Sequence, residues 1–154
     1  MIQITSKSVK DTLNIGRHIA KNLQKGDIVC LFGRFGAGKT VLTKGVAAGL
    51  GIAKDKIVSP SFVLIREYAK ARIPLYHFDL YRMEKEMDIL GLGYEDYLYG
   101  QGIAVIEWAD KLKELLPREY LKVSLEIAGK DTRKVIIRGV GKRYRGYNLE
   151  GWLK

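Results

Sequence analysis

The chain has 154 residues, 47% of them apolar, enough for one domain around one sizeable core, so a single domain over 1–154 is expected. No apolar run reaches the roughly 18 residues of a membrane span, and a lone cysteine excludes an internal disulfide and a cysteine zinc cluster. A formal net charge of +10 fits either an acidic partner (nucleic acid, nucleotide or acidic protein surface) or a solvated basic surface.

The opening "MIQITSKSVKDTL" lacks the apolar block of a secretory signal, so a cytoplasmic location is expected. Within it, "IQIT" reads as a short strand. Residues 8–27 read as a helix, with Ser8 as its cap and Asp11 three residues on. Val9, Leu13, Ile19 and Leu23 recur at helical spacing and are expected on its apolar face. "DIVCLF" is a continuous apolar strand that places Cys30 in the core. It breaks into glycines, and a helical pattern then runs from Thr40 to Leu50 and stops at Gly51.

Further along, "SFVLIREY" and "IPLYHFDLY" read as the strands of a hairpin. "EKEMDILGL" and "YEDYLY" are short helical pieces, and "GIAVIEW" is a second continuous apolar strand. "DKLKELL" gives a helical turn or two before Pro117, and "LKVSLEIAG" with "TRKVIIRGV" a final antiparallel pair. The expected fold is α/β: a three-layer sandwich whose mixed sheet has a parallel core plus an antiparallel hairpin and edge strands. The basic, aromatic segment 141–154 suits either RNA phosphates and base stacking or aromatics packed back on the domain.

Gly33, Arg34, Phe35, Gly36, Ala37, Gly38, Lys39 and Thr40 satisfy the G-x-x-x-x-G-K-[ST] pattern between a predicted strand and a predicted helix. Glycines let successive backbone amides turn inward around phosphate oxygens where a Cβ would collide. The helix start adds its own free amides, Lys39 a charge for the β- and γ-phosphates, and Thr40 a hydroxyl for magnesium. A nucleoside polyphosphate with Mg2+ is the expected ligand.

Such a loop requires an acid at the end of a neighbouring apolar strand, and Glu107 ends "IAVIE". It would hold the metal with Thr40; an exposed strand-end acid is the plainer reading. In "IPLYHFDLYR", period-two alternation puts Leu75, His77 and Asp79 on one face and Tyr76, Phe78 and Leu80 on the other. Asp79 could orient or deprotonate an attacking water, or pair with a basic residue such as Arg82. His77 reads as a packed or hydrogen-bonded histidine rather than a ligand. In "VSPSF", Ser59 and Ser61 suit a γ-phosphate-sensing loop or an ordinary serine–proline turn.

Together "GRFGAGKT", "SPSF", "LYHFDLYR" and "IEW", in that order, resemble the TsaE (YjeE) family over roughly residues 5–140. The resemblance implies a P-loop ATPase that uses ATP and Mg2+ in tRNA N6-threonylcarbamoyladenosine modification, supporting turnover of the partner proteins TsaB and TsaD and meeting tRNA through that complex. By position it implies that Lys39 contacts phosphates, that Thr40 and Glu107 hold magnesium, that Asp79 is the acid for hydrolysis, and that Trp108 adjoins the site. It also places Thr12 near the adenine, Arg133 on the nucleotide, and Ser61 where the family usually has Thr. Arg34 and Phe35 replace an acidic–leucine pair, and Val41 stands where a second Thr is common. A small-molecule or nucleotide kinase, or a nucleotide-gated RNA-binding module, would use the same loop.

Overall fold

The computed structural model describes residues 1–58 and 64–153. In chain order the elements are β1 (Ile2–Ser6), α1 (Val9–Asn22), β2 (Ile28–Phe32), α2 (Lys39–Gly49), β3 (Ile65–Tyr68), β4 (Leu75–Asp79), α3 (Met87–Leu90), α4 (Tyr94–Leu98), β5 (Ile103–Glu107), β6 (Tyr120–Ile127), β7 (Arg133–Val140) and α5 (Lys142–Arg145), with 3-10 turns at Lys54–Lys56, Ala109–Leu115 and Leu149–Leu153. The strands form a seven-stranded sheet ordered β1-β7-β6-β2-β5-β4-β3. β6, β2, β5 and β4 are parallel to their neighbours within this core, while β3 at one edge and β7 and β1 at the other run antiparallel. This is the expected mixed sheet.

Alternation along the central strands supplies two cores. Val29 and Leu31 face α1 and α2, whereas Ile28 and Cys30 face the side of α3, α4 and the 109–115 turn. Leu75 falls on the first side and Phe78 and Leu80 on the second, as the period-two reading requires. Burial pushes the Cys30 thiol well above its ordinary range, consistent with a core residue. Ser8 caps α1 by accepting the Asp11 amide at 3.1 Å, and the Asp11 carboxylate accepts the Lys7 amide at 2.8 Å. The α1–α2 contact is backbone-close: a Cβ on Gly16 would lie 2.4 Å from the Leu42 carbonyl oxygen, and one on Gly45 would lie 2.3 Å from that of Leu13. That contact fixes α2, and with it the glycine turn ahead of it.

Several local expectations need correction. α1 ends at Asn22 rather than continuing to 27, because Leu23 is extended and Gly26 takes a left-handed turn (φ +81°) into β2. Its buried stripe is Thr12, Ile15, Gly16, Ile19 and Ala20; Val9, in the first turn, is 65% exposed. The helical pieces at 84–92 and 94–99 shrink to Met87–Leu90 and Tyr94–Leu98, and the 109–115 segment kinks at Lys113. The hairpin is present, with Tyr68 opposite Leu75 and Ile65 opposite Phe78. The C-terminal aromatics pack back: Tyr144 and Trp152 are buried, and the Tyr144 hydroxyl accepts the Ile28 amide at 2.7 Å.

Candidate functional site

The glycine turn leaves β2 at Phe32 and enters α2 at Lys39. A Cβ on Gly33 would lie 2.6 Å from the Leu125 carbonyl oxygen, so the turn sits flush against β6. Gly38 is the N-cap in a left-handed conformation (φ +103°), and no side chain caps the helix. The first-turn amides of α2 therefore have no side-chain acceptor, and with the helix dipole behind them they suit an anion. Lys39 Nζ donates to the carbonyls of Gly33 and of Arg34 (2.9 Å) and lies 3.8 Å from the Trp108 ring centroid. Burial lowers its pKa, opposed by the nearby charges of Glu107, Asp110 and Asp79.

Glu107 and Asp79 are register partners at the ends of the parallel strands β5 and β4. Glu107 is 1% exposed, which replaces the plainer reading of a surface acid at a strand end. A buried carboxylate requires donors, and three converge on it. Thr40 Oγ1 donates to Oε2 at 2.8 Å; Thr43 Oγ1 at 3.0 Å and His77 Nε2 at 2.8 Å meet Oε1. His77 is fully buried and hydrogen-bonded, as expected. Thr43 escaped the sequence reading, although three residues beyond Thr40 is the same face of α2.

Asp79 Oδ1 accepts the Tyr81 amide at 3.1 Å, and its side chain lines a cleft of about 370 Å3 together with Lys39, Thr40, Glu107 and Trp108. The cleft has an aromatic wall: Phe35 to Tyr81 is 6.0 Å between centroids and Tyr81 to Trp108 is 5.1 Å. Trp108 adopts φ +58°, a left-handed conformation costly for a bulky residue and concentrated at functional turns.

Thr12 and Arg133 lie elsewhere, lining a smaller cleft of about 120 Å3 that shares Gly36, Gly38 and Val41 with the first. Thr12 Oγ1 is 2.7 Å from Ser6 Oγ. Arg133, the first residue of β7, donates to the Gly36 carbonyl at 3.2 Å, bracing the glycine turn. The Arg34 side chain is exposed, and Phe35 is 74% exposed. Ser59 and Ser61 lie outside the described residues.

Among the described residues no three His, Cys, Asp or Glu side chains cluster as metal ligands. One hydroxyl beside one carboxylate still suits Mg2+, which takes few protein ligands and fills its octahedron with phosphate oxygens and water. The glycine cradle, the uncapped helix start and the Thr40–Glu107 pair thus fit a magnesium-bound polyphosphate.

The family model described as "Threonylcarbamoyl adenosine biosynthesis protein TsaE" matches residues 6–135. The tRNA threonylcarbamoyladenosine biosynthesis protein TsaE of Bacillus subtilis is 44% identical over 135 residues, 88% of this chain and 84% of the relative. That of Treponema pallidum is 35% identical over 136 residues, 88% of this chain and 99% of the relative. The crystal structure of Bacillus subtilis YdiB aligns with a TM-score of 0.81 at 39% identity, over 94% of this chain and 88% of that one.

Proposed function

This chain belongs to the TsaE family, and from that membership we propose that it is a Mg2+-dependent ATP-hydrolysing subunit of the machinery that makes N6-threonylcarbamoyladenosine in tRNA, sustaining turnover of a TsaB–TsaD complex. The names of its relatives support the pathway. One contact carries the chemical part of the reading: Thr40 Oγ1 lies 2.8 Å from the buried strand-end carboxylate Glu107, directly after the glycine turn.

In this reading the turn from Gly33 to Gly38 and the first amides of α2 cradle the phosphates, with Lys39 leaving its loop carbonyls to meet them. Thr40 and Glu107 would hold Mg2+, which when bound neutralises charge developing on the phosphoryl oxygens. Asp79, beside Glu107 on the next strand, orients the attacking water and takes its proton as the water–phosphorus bond forms and the bond to ADP breaks. Trp108 holds Lys39 in the cleft through its ring face. Thr12 and Arg133 border the smaller cleft, suited to the nucleoside end. No in-line arginine is evident in the sequence, so the isolated chain should hydrolyse ATP slowly.

Reconstitution tests this. ADP release should rise when TsaB, TsaD and tRNA are added, and multiple-turnover modification should need this chain. ADP release that depends instead on an added small-molecule acceptor would identify a kinase.

A further inference from the structure

We propose that His77 is a positioning residue that selects which oxygen of Glu107 is presented to the divalent cation, an inference that rests on reading Thr40 and Glu107 as its holders. His77 faces Val105 in the β4–β5 register, and Glu107 lies two residues further on, so the two side chains are diagonal neighbours on one face of the sheet. His77 is fully buried, where an imidazole is costly unless it is hydrogen-bonded; its Nδ1 has no partner among the described residues, so Nε2 makes its one hydrogen bond there. Its Nε2 is 2.8 Å from Glu107 Oε1.

The donors to the two oxygens are unequal. Oε2 meets Thr40, the residue at the glycine turn. Oε1 meets Thr43 and His77. Thr43 has one hydroxyl proton, and its Oγ1 is equally 3.0 Å from the Lys39 carbonyl, so it serves one acceptor at a time. An ionised carboxylate only accepts, which places the proton of the shortest Oε1 contact on His77 Nε2. Among the described residues His77 is thus the donor to Oε1 with no competing acceptor. It pins Oε1 into the core and leaves Oε2 facing the cleft, as carboxylate-bonded imidazoles orient ligands in metal sites generally.

The test uses His77→Gln, whose amide reaches the Nε2 position, against His77→Asn, which is too short, and His77→Leu, which has no donor. Calorimetry with a non-hydrolysable ATP analogue, in Mg2+ and in EDTA, reads the metal-dependent gain in affinity. Wild type and His77→Gln should keep it; His77→Asn and His77→Leu should lose about 10-fold or more of it, the usual cost of an outer-shell partner, with EDTA affinity unchanged. Should His77→Leu fail to fold, the Asn–Gln contrast decides. Retention of the gain in His77→Asn, or its loss in His77→Gln, overturns the positioning role. A wild-type protein with no metal-dependent gain sinks the Thr40–Glu107 reading itself, a different failure. Imidazole 15N shifts of the folded protein should show the Nε2–H tautomer; the Nδ1–H tautomer contradicts the proposal.

Discussion

Two carboxylates are buried at opposite ends of the same parallel strand pair: Asp27, which leads into β2, and Glu107, which closes β5. Asp27 is closed off. The Arg143 guanidinium donates to it at 2.8 Å, the Tyr147 hydroxyl at 3.0 Å and the Gln24 backbone N–H at 2.8 Å, so its charge is matched and its lone pairs are used. Glu107 has two hydroxyls and an imidazole. The nearby ammonium of Lys39 is engaged by loop carbonyls and the Trp108 ring. A buried acid with a guanidinium partner serves the fold. One whose donors are two hydroxyls and an imidazole, beside a glycine turn, suits the role proposed for it of holding a cation. Burial alone distinguishes neither; the identity of the donors does.

The largest expected effect separates the two by activity. Glu107→Gln should cut ATP hydrolysis by about 100-fold or more, the scale of losing one electrostatic stabiliser of a transition state. Its unfolding free energy in urea should change by no more than about 1 kcal/mol, since the amide can keep contacts to both threonines. Asp27→Ala should do the reverse. It strands Arg143 and Tyr147 and should cost about 3 kcal/mol in denaturant unfolding, while hydrolysis per folded molecule is unchanged. An Asp27→Ala protein of undiminished stability would break the contrast.

A smaller effect sharpens it. Tyr144 joins the same C-terminal anchor, and burial raises its phenol pKa. Above about pH 10 the unfolded chain releases that proton while the folded chain keeps it, so stability falls as pH rises. Tyr144→Phe should lose about 1 kcal/mol at neutral pH with its hydrogen bond and show a shallower alkaline decline. Equilibrium unfolding at pH 8 and above pH 10 checks both.

What was legible in the sequence is what is local. Gly33 to Thr40 states its chemistry by spacing, and β2, β4 and β5 by their apolar periods. The positions of Asp79 and Glu107 at adjacent strand ends follow from both strands being parallel and of equal length. What was not legible depends on convergence. Thr43 and His77 lie 64 and 30 residues from Glu107, and nothing in either neighbourhood announces the shared carboxylate. Asp27 and its partners in the C-terminal segment are 116 and 120 residues apart. Their aromatic, basic composition suits RNA as well as packing on the domain, and the contacts among Tyr144, Tyr147 and Trp152 bear out the packing. The end of α1 is not legible either, because Leu23 keeps the apolar period one residue after the backbone has left the helix.

The measurement that bears most directly on Glu107 as a metal acid is the Mg2+ dependence of nucleotide affinity in wild type and Glu107→Gln, read by calorimetry with a non-hydrolysable ATP analogue. Mg2+ should tighten binding to the wild type and leave Glu107→Gln at its metal-free affinity. Equal tightening in both proteins would contradict the account.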